Sequence, residues 1–536
     1  MPEYLSPGVY IQEVDSGTRP IEGVGTAVAA FVGFAPDGPA NTPTLVTNWS
    51  QYVETFGAAD NGGPRNPHMA GAYLSHAVYG FFLNGGGRCY VDRVVAADAA
   101  SAKADGRGSR AAIDAKPAVA LPGRSPRALP SLNITAKEGV TGDVLIEVAP
   151  PVGDDQPEGT FTLKVRMGEV EETYENVGLS KRGRHVVETV NPTSQLVTVL
   201  EAPAAGPLLE RVPALGIYAL KTLDAASLNI NRSSSVVPRV QSTHFVGDVV
   251  QRSGLEGLEV ADDVTMVSCP DLMSAYQTGM IDLDGVKAVQ LAMIAHCERM
   301  GDRMAILDTP PGLNAQDAKR WRERDTNYDS KYAAVYYPWL RVAGADGTPI
   351  EIPPSGHMAG VYARSDNERG VHKAPANEVV RGALAAVTQL TKGEQDTLNP
   401  IGVNCIRSFT GRGVRVWGAR TQSSDPAWRY VNVRRLFNYV EESIERGTQW
   451  VVFEPNDAEL WARVRRDVGA FLTGVWRDGM LFGATPAEAF FVKCDAENNP
   501  PDVRDRGQLV IDVGMAPVKP AEFVVFRFSQ FAGGGA

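Results

Sequence analysis

Cysteine is scarce in this chain of 536 residues, which has only Cys89, Cys269, Cys297, Cys405 and Cys494. They are scattered singly, without a CxxC pair, and an odd dispersed set argues against both a disulfide framework and a zinc knuckle. Apolar runs of the ~18 residues needed to cross a bilayer are missing as well. The opening "MPEYLSPGVYIQEV" has no basic stretch ahead of an apolar one, so the chain is expected to start in the cytoplasm and to insert into no membrane. Nor is there a basic concentration of the kind that holds phosphates. The net charge is −11; residues 400–536 hold 17 Lys and Arg against 16 Asp and Glu, and residues 1–399 hold 35 against 47. A nucleic-acid partner is therefore not expected.

Catalytic signatures are thin. There is no GxxxxGK[ST], "NGGGR" at 84–88 reads as a helix stop, and "GRGVRVWG" at 411–418 does not lie between a strand and a helix. A GxSxG elbow is absent too. What remains is a set of polar residues at the ends of expected parallel strands, where such sheets place ligands. Cys269 could act as a nucleophile with His357 as its base, beside Asp271 and Asp308. The plainer reading is that these two aspartates cap helices or hold turns. His357, Asp366, Glu368 and His372 could be metal ligands, but their spacing matches no HExxH pattern. The expectation is no catalytic residue, no metal and no cofactor, with a cysteine- or metal-dependent hydrolase of α/β type as the alternative.

What is present is ordinary globular material, 43% hydrophobic and 21% charged, long enough for two to four domains. Val9–Val14 has β-forming composition but is flanked by Pro and Gly, a short strand that needs a partner. "AVAAFVGF" at 27–34 reads as a buried strand. Tyr73, Leu74, Ala77, Val78, Phe81 and Phe82 recur at helical spacing, and "RCYVDRVV" follows as a strand. Past residues 96–130, rich in Ala, Gly, Arg and Pro, short alternating segments such as "DVLIEVAP" and "TFTLKVRM" predict an inserted antiparallel β domain. A β-α-β-α-β order returns from Val264 to Tyr337 and implies parallel strands with right-handed crossovers. Then "NCIRSFTGRGVRVWGART" reads as a hairpin and Tyr430–Thr448 as a helix. Asn456–Glu459 resembles a capping box that opens a helix with Trp461, Val464, Val468 and Leu472 on one face. "QLVIDVGM" and "EFVVFRFSQF" close the chain as loose strands.

Four ordered segments carry a resemblance: "YLSPGVYIQEVDSGTRPIEGVGTAVAAFVG", "GFFLNGGGRCYVDRV", "PPSGHMAGVYARSDNERGVHKAPANE" and "LNPIGVNCIRSFTGRGVRVWGART". Together with "YVNVRRLFNYVEESIERGTQWVVFEPND" and "GATPAEAFFVKCD", they resemble contractile tail sheath proteins, the sleeves of contractile-tailed phages and of phage-tail-like injection particles.

The resemblance implies an α+β multidomain subunit that is not an enzyme. Its parts would be an arm at 1–25, a discontinuous α/β core at 26–98 and 246–375, and an inserted outer domain at 99–245. A C-terminal domain facing an inner tube at 376–506 and a second arm at 507–536 would complete it. Such subunits polymerise helically around a tube, with a baseplate and a terminator or cap as further partners, store energy in the extended state and contract. Their terminal strands are exchanged between copies, which here assigns Val9, Tyr10, Ile11, Gln12, Glu13 and Val14, and Phe523, Val524, Val525, Phe526, Arg527 and Phe528. That use agrees with the physical reading, because unpaired strand edges need covering. Ser16–Gly25 and Gly514–Pro520 would be the hinges. Arg434, Arg435, Arg463, Arg465 and Arg466, on the two amphipathic helices, are candidates for meeting acidic groups of the tube. The polar segment 353–373 is expected to be a joint between core and C-terminal domain, with Arg364, Asp366, Glu368 and Arg369 fixing its angle.

Overall fold

The computed structural model describes residues 20–59, 64–95, 118–122, 130–137, 144–153, 157, 159–167, 170–180, 183–201, 212–213, 216–220, 240–344 and 347–527. Val9–Val14 and Phe528 lie outside them. The chain divides into two compact units, Met1–Ala100 with Ser233–Ala536, and Ser101–Arg232.

In chain order, the first unit opens with β1 (Val28–Gly33), buried at every position. There follow β2 (Thr44–Val46) and α1 (Trp49–Phe56), whose N-cap Asn48 accepts from the Gln51 amide. α2 (Leu74–Asn84) ends at Gly85, whose φ of 118° is a left-handed stop that suits glycine. β3 (Arg88–Arg93) comes next.

The second unit contains β4 (Ala118–Pro122), β5 (Pro130–Ala136), β6 (Val144–Ala149), β7 (Thr160–Met167), β8 (Val170–Gly178), α3 (Val186–Thr193), β9 (Val197–Glu201) and β10 (Gly216–Leu220). The strands form two antiparallel sheets, ordered β4-β5-β9 and β10-β6-β7-β8. Leu132, Ile146, Leu163, Val190 and Val199 share one core.

After short helices at Ser242–Val246 and Gly254–Gly257, the main elements of the first unit continue with β11 (Met266–Ser268), α4 (Asp271–Gln277), α5 (Leu283–Met300), β12 (Met304–Asp308), β13 (Ala333–Tyr337), β14 (Leu340–Ala343), β15 (Pro349–Ile352) and α6 (Ser355–Arg369). β16 (Ala383–Ala386), β17 (Val403–Phe409), β18 (Gly413–Val416), α7 (Val431–Gly447), α8 (Ala458–Arg477), β19 (Phe490–Lys493) and β20 (Asp512–Met515) complete it. Its main sheet runs β18-β17-β13-β12-β11-β1-β3-β2. The strands from β17 to β3 are parallel, and the edge strands β18 and β2 are antiparallel. Alternation along β1 divides the core: Val28, Ala30 and Val32 meet Val286, Val289 and Met293 of α5, while Ala29 and Phe31 meet Phe81 of α2 and Met358 and Tyr362 of α6.

Three expectations are corrected here. Segment 353–373, expected as a polar joint, is mostly helix: α6 takes up Ser355–Arg369 and is buried at every residue from Ser355 to Ser365. Small residues let it lie directly on α2, since a Cβ on Gly356 would come 2.4 Å from the Ala77 Cα. The hairpin at 404–421 belongs to the core sheet, because β17 pairs in parallel with β13. Finally, "QLVIDVGM" is not a loose end: within it β20 pairs antiparallel with β19, from Phe490 opposite Met515 to Lys493 opposite Asp512.

Candidate functional site

The polar residues at the strand ends do not assemble into a reaction centre. Cys269 is buried on the α5 face of the sheet, and burial, with Asp271 and Asp308 nearby, holds its thiol well above the usual range. His357 lies on α6, on the opposite face, with its ring against Gly80 of α2, so no Cys–His pair exists. Asp271 caps the start of α2, accepting from the amides of Phe34 (2.6 Å), Tyr73 and Leu74 (3.2 Å). Asp308 caps α6 through the amide and hydroxyl of Ser355, at 2.9 and 2.5 Å. Burial pushes both carboxyls up to about 7. Both aspartates therefore cap helices, though helices distant in sequence rather than the ones that follow them. Of the metal candidates, His357 faces α2 and Asp366 is taken by Arg435. Among the described residues no group of three or more His, Cys, Asp or Glu is arranged to hold a metal ion.

Two polar clusters lie near the two ends of the described residues. At the N-terminal side, residues 20–26 run along α7. Ile21 packs against Gly447, Gly23 against Tyr439, and the Val24 amide donates to Ser443 Oγ at 3.1 Å. Thr26 is then clamped between two elements: its hydroxyl donates to Asp366 of α6 (2.7 Å) and its carbonyl accepts from Arg435 of α7 (2.9 Å). Arg435 and Asp366 form a bidentate pair at 2.8 and 2.6 Å, each side chain 3% exposed, with the guanidinium 4.9 Å from the Tyr362 ring centroid. Burial opposes the arginine's charge, and Asp366 outweighs it, raising the guanidinium above its ordinary value.

The C-terminal side is built on the same plan. Past β20 the chain stays packed, with Ala516 accepting from the Phe482 amide and donating to the Ala489 carbonyl, both at 2.8 Å. Glu522 then meets Arg420 through Nε (2.9 Å) and Nη2 (2.7 Å), the Asn399 amide (2.7 Å) and the Tyr430 hydroxyl (2.9 Å). Burial alone would raise its carboxyl; the hydrogen bonds and charge of these partners outweigh that and hold it below the ordinary range. Immediately beyond, Phe523, Val524, Val525 and Phe526 are 70–77% exposed, and residues 521–527 run without forming a strand. Separately, β19 and β20 form a sheet of two strands only among the described residues, with Phe491 60% and Phe482 74% exposed. Gly514–Pro520, expected as a hinge, is thus part of the folded body. Neither Arg420 nor Glu522 carries a local sequence signal, since the partners lie about a hundred positions apart.

The five candidate arginines separate. Arg434 is 1% exposed, bound to Asn438 and Glu441, and stacked between aromatic rings. Like Arg435 it offers no charge to a partner, because a buried guanidinium must be satisfied internally. Arg463 lies over Trp450 at 5.2 Å and 3.4 Å from Glu454, and Arg465 donates to the Cys494 carbonyl. Arg466, 52% exposed beside Asp467, is the one that projects.

Two family profiles match end to end, the phage tail sheath protein central domain over residues 271–422 and the phage tail sheath C-terminal domain over 423–531. Residues 271–531 carry the two domains of the tail sheath family. That family is one of structural proteins and not of enzymes. Among curated relatives, the tail sheath protein of Burkholderia phage BcepMu is 24% identical over 97% of this chain and 95% of its own length. The tail sheath protein of Vibrio phage KVP40 is 29% identical over 33% of this chain, and the match spans only 26% of that relative's length. Among solved structures, the helical sheath of the anti-feeding prophage in its contracted state superposes with a TM-score of 0.55 at 25% identity, covering 98% of this chain and 100% of the other. No helix among the described residues is long and apolar enough to cross a membrane.

Proposed function

We propose that this chain polymerises helically around an inner tube, that the sheath is assembled in an extended, energy-storing state, and that its contraction drives the tube through a target envelope. The observation that carries the reading is the state of the chain ends. The N-terminal one is rooted by a buried arginine–carboxylate pair and the C-terminal one by a part-buried pair; the C-terminal one then presents a run of exposed apolar residues, and the same unit carries a two-stranded sheet with open edges. Such a row of unpaired backbone groups is completed by strand addition. In this reading Phe523–Phe528 of one copy and Val9–Val14 of another extend the β19–β20 sheet of a third. Contraction is a rigid-body change of lattice in which these links hold. Energy comes from the more complementary contacts of the contracted lattice, so no nucleotide is consumed at firing. A baseplate and a terminator or cap bound the polymer, the inserted domain at 99–245 lies outermost, and the C-terminal domain at 376–506 faces the tube.

The test is deletion of residues 1–20 from the full chain, followed by negative-stain microscopy of the assembled material. The expected result is discrete particles or short fragments in place of ribbed tubes. Long tubes that still contract would overturn the proposal.

A further inference from the structure

A groove of about 1000 Å³ lies between the β17–β18 hairpin, the end of α6 and the departing segment 518–524. Its chemistry is one-sided. Lys373 is answered by Glu378 and Arg420 by Glu522, but Arg369, Lys392, Arg407 and Lys519 have no ion-pair partner among the described residues. Arg407 donates through Nη1 to Gln395 at 2.9 Å and lies 5.3 Å from the Phe409 ring, while its Nε is buried without a partner. The Nδ1 of His372, at the same groove, is buried without a partner as well. Asp396 is the one further carboxylate in the lining.

A surface with unanswered cations and an orphaned guanidinium nitrogen is complementary to carboxylates. Glu522 demonstrates the chemistry in place: a side chain from an extended segment reaches in and is taken bidentately by Arg420 with help from an amide and a phenol. The groove continues past Glu522 with the same kind of donor and with Asp396 as its one further carboxylate. The rest of the chain supplies such acceptors in excess, because residues 1–399 carry 47 acidic against 35 basic side chains. Phe409 and Trp417, 4.7 Å apart, add an apolar floor for the stems of long acidic residues or for their apolar neighbours.

We infer that this groove receives an acidic segment of a second copy of this chain, an inference that rests on the polymer reading above. It is a contact distinct from strand addition at β19–β20: it is made by side chains, weakens with salt and leaves the exchanged strands untouched.

The experiment uses the full chain assembled from equal parts of nitrogen-15-labelled and unlabelled protein, treated with a carbodiimide that joins amines to adjacent carboxyls. The expected result by mass spectrometry is mixed-isotope links from Lys392 or Lys519 to Asp or Glu residues. Lys392 and Arg369 are exposed, so the double variant Lys392→Glu/Arg369→Glu keeps its urea midpoint while the protein concentration needed for assembly at low salt rises about tenfold. Polymers that form with only same-copy links, or a variant that assembles like the parent at every salt concentration, would overturn the groove inference alone. When the same treatment is applied with purified tube protein present, links from these lysines to the tube in place of mixed-isotope links would overturn the second-copy assignment. Failure of the parent chain to polymerise would overturn the polymer reading and this inference with it.

Discussion

Arg435 and Asp366 lie in one core at 3% exposure each, where neither charge is tolerable without the other. Removing one partner leaves a desolvated ion, so Arg435→Ala is expected to cost about 3–5 kcal/mol in urea unfolding. The double variant Asp366→Leu/Arg435→Met should recover most of that, and a double variant as unstable as the single would contradict this account. Buried histidines set a second, pH-dependent contribution. Burial, with His76 close by, lowers His357 to about 4, and burial with its stacked neighbour His68 lowers His76 to about 4. An unfolded imidazole takes up its proton near 6.5. The stability these rings contribute is therefore complete above pH 6.5 and is lost as the pH falls toward 4. Asp271 and Asp308, raised to about 7 from 3.8, act in the opposite sense. Their contribution is complete below 3.8 and is lost as the pH rises through 7. Comparing the parent with His357→Gln isolates the imidazole: between pH 6.5 and 4 the variant's urea midpoint should fall less steeply.

At the scale of elements, legibility followed solvent exposure. β1, β12 and β13 are readable because their residues form continuous apolar runs between turn residues, and α8 because its apolar stripe repeats at 3.6 residues. α6 was not readable: a helix covered on all sides shows no polar face, and its glycines and charged end imitate a loop. Its polar interior is satisfied by residues far away in sequence, as where Arg364 donates to the carbonyls of Asn84 (2.9 Å) and Val379 (2.6 Å). The glycines are contact points, not hinges. A Cβ on Gly360 would meet the Phe81 carbonyl oxygen at 2.6 Å, so Gly360→Ala should force α6 off α2 and cost about 1–3 kcal/mol. A thermal midpoint equal to that of the parent would rule out this packing account. The knots around Asp366 and Glu522 were illegible for another reason. Each joins residues from three or more separate segments, and no local pattern encodes that convergence.

For the whole molecule, the knots decide where motion is permitted. With Thr26 and Glu522 both held, the folded part of the first unit is suited to move as one piece. Glu522→Ala should release the tether. The amides between Ala516 and Glu522 are then expected to exchange with solvent faster, with those of β12 and β13 unchanged. Equal exchange in variant and parent would show that the knot does not set the limit. In the proposed reading, the geometry also narrows the surface that meets the tube. Charge reversal of Arg463, Arg465 and Arg466 together is expected to uncouple sheath from tube, but Arg463 and Arg465 are held within the chain, and Arg466, though 3.2 Å from Asp467, is the exposed one of the three. Arg466→Glu alone should therefore reproduce most of the loss, measured by co-sedimentation with purified tube, and the loss should shrink as salt is raised, because an exposed charge acts through solvent. Unchanged co-sedimentation of the triple variant would remove α8 from the tube-facing surface; loss in the triple but not in Arg466→Glu would mean that the internal contacts of Arg463 and Arg465 shape that surface.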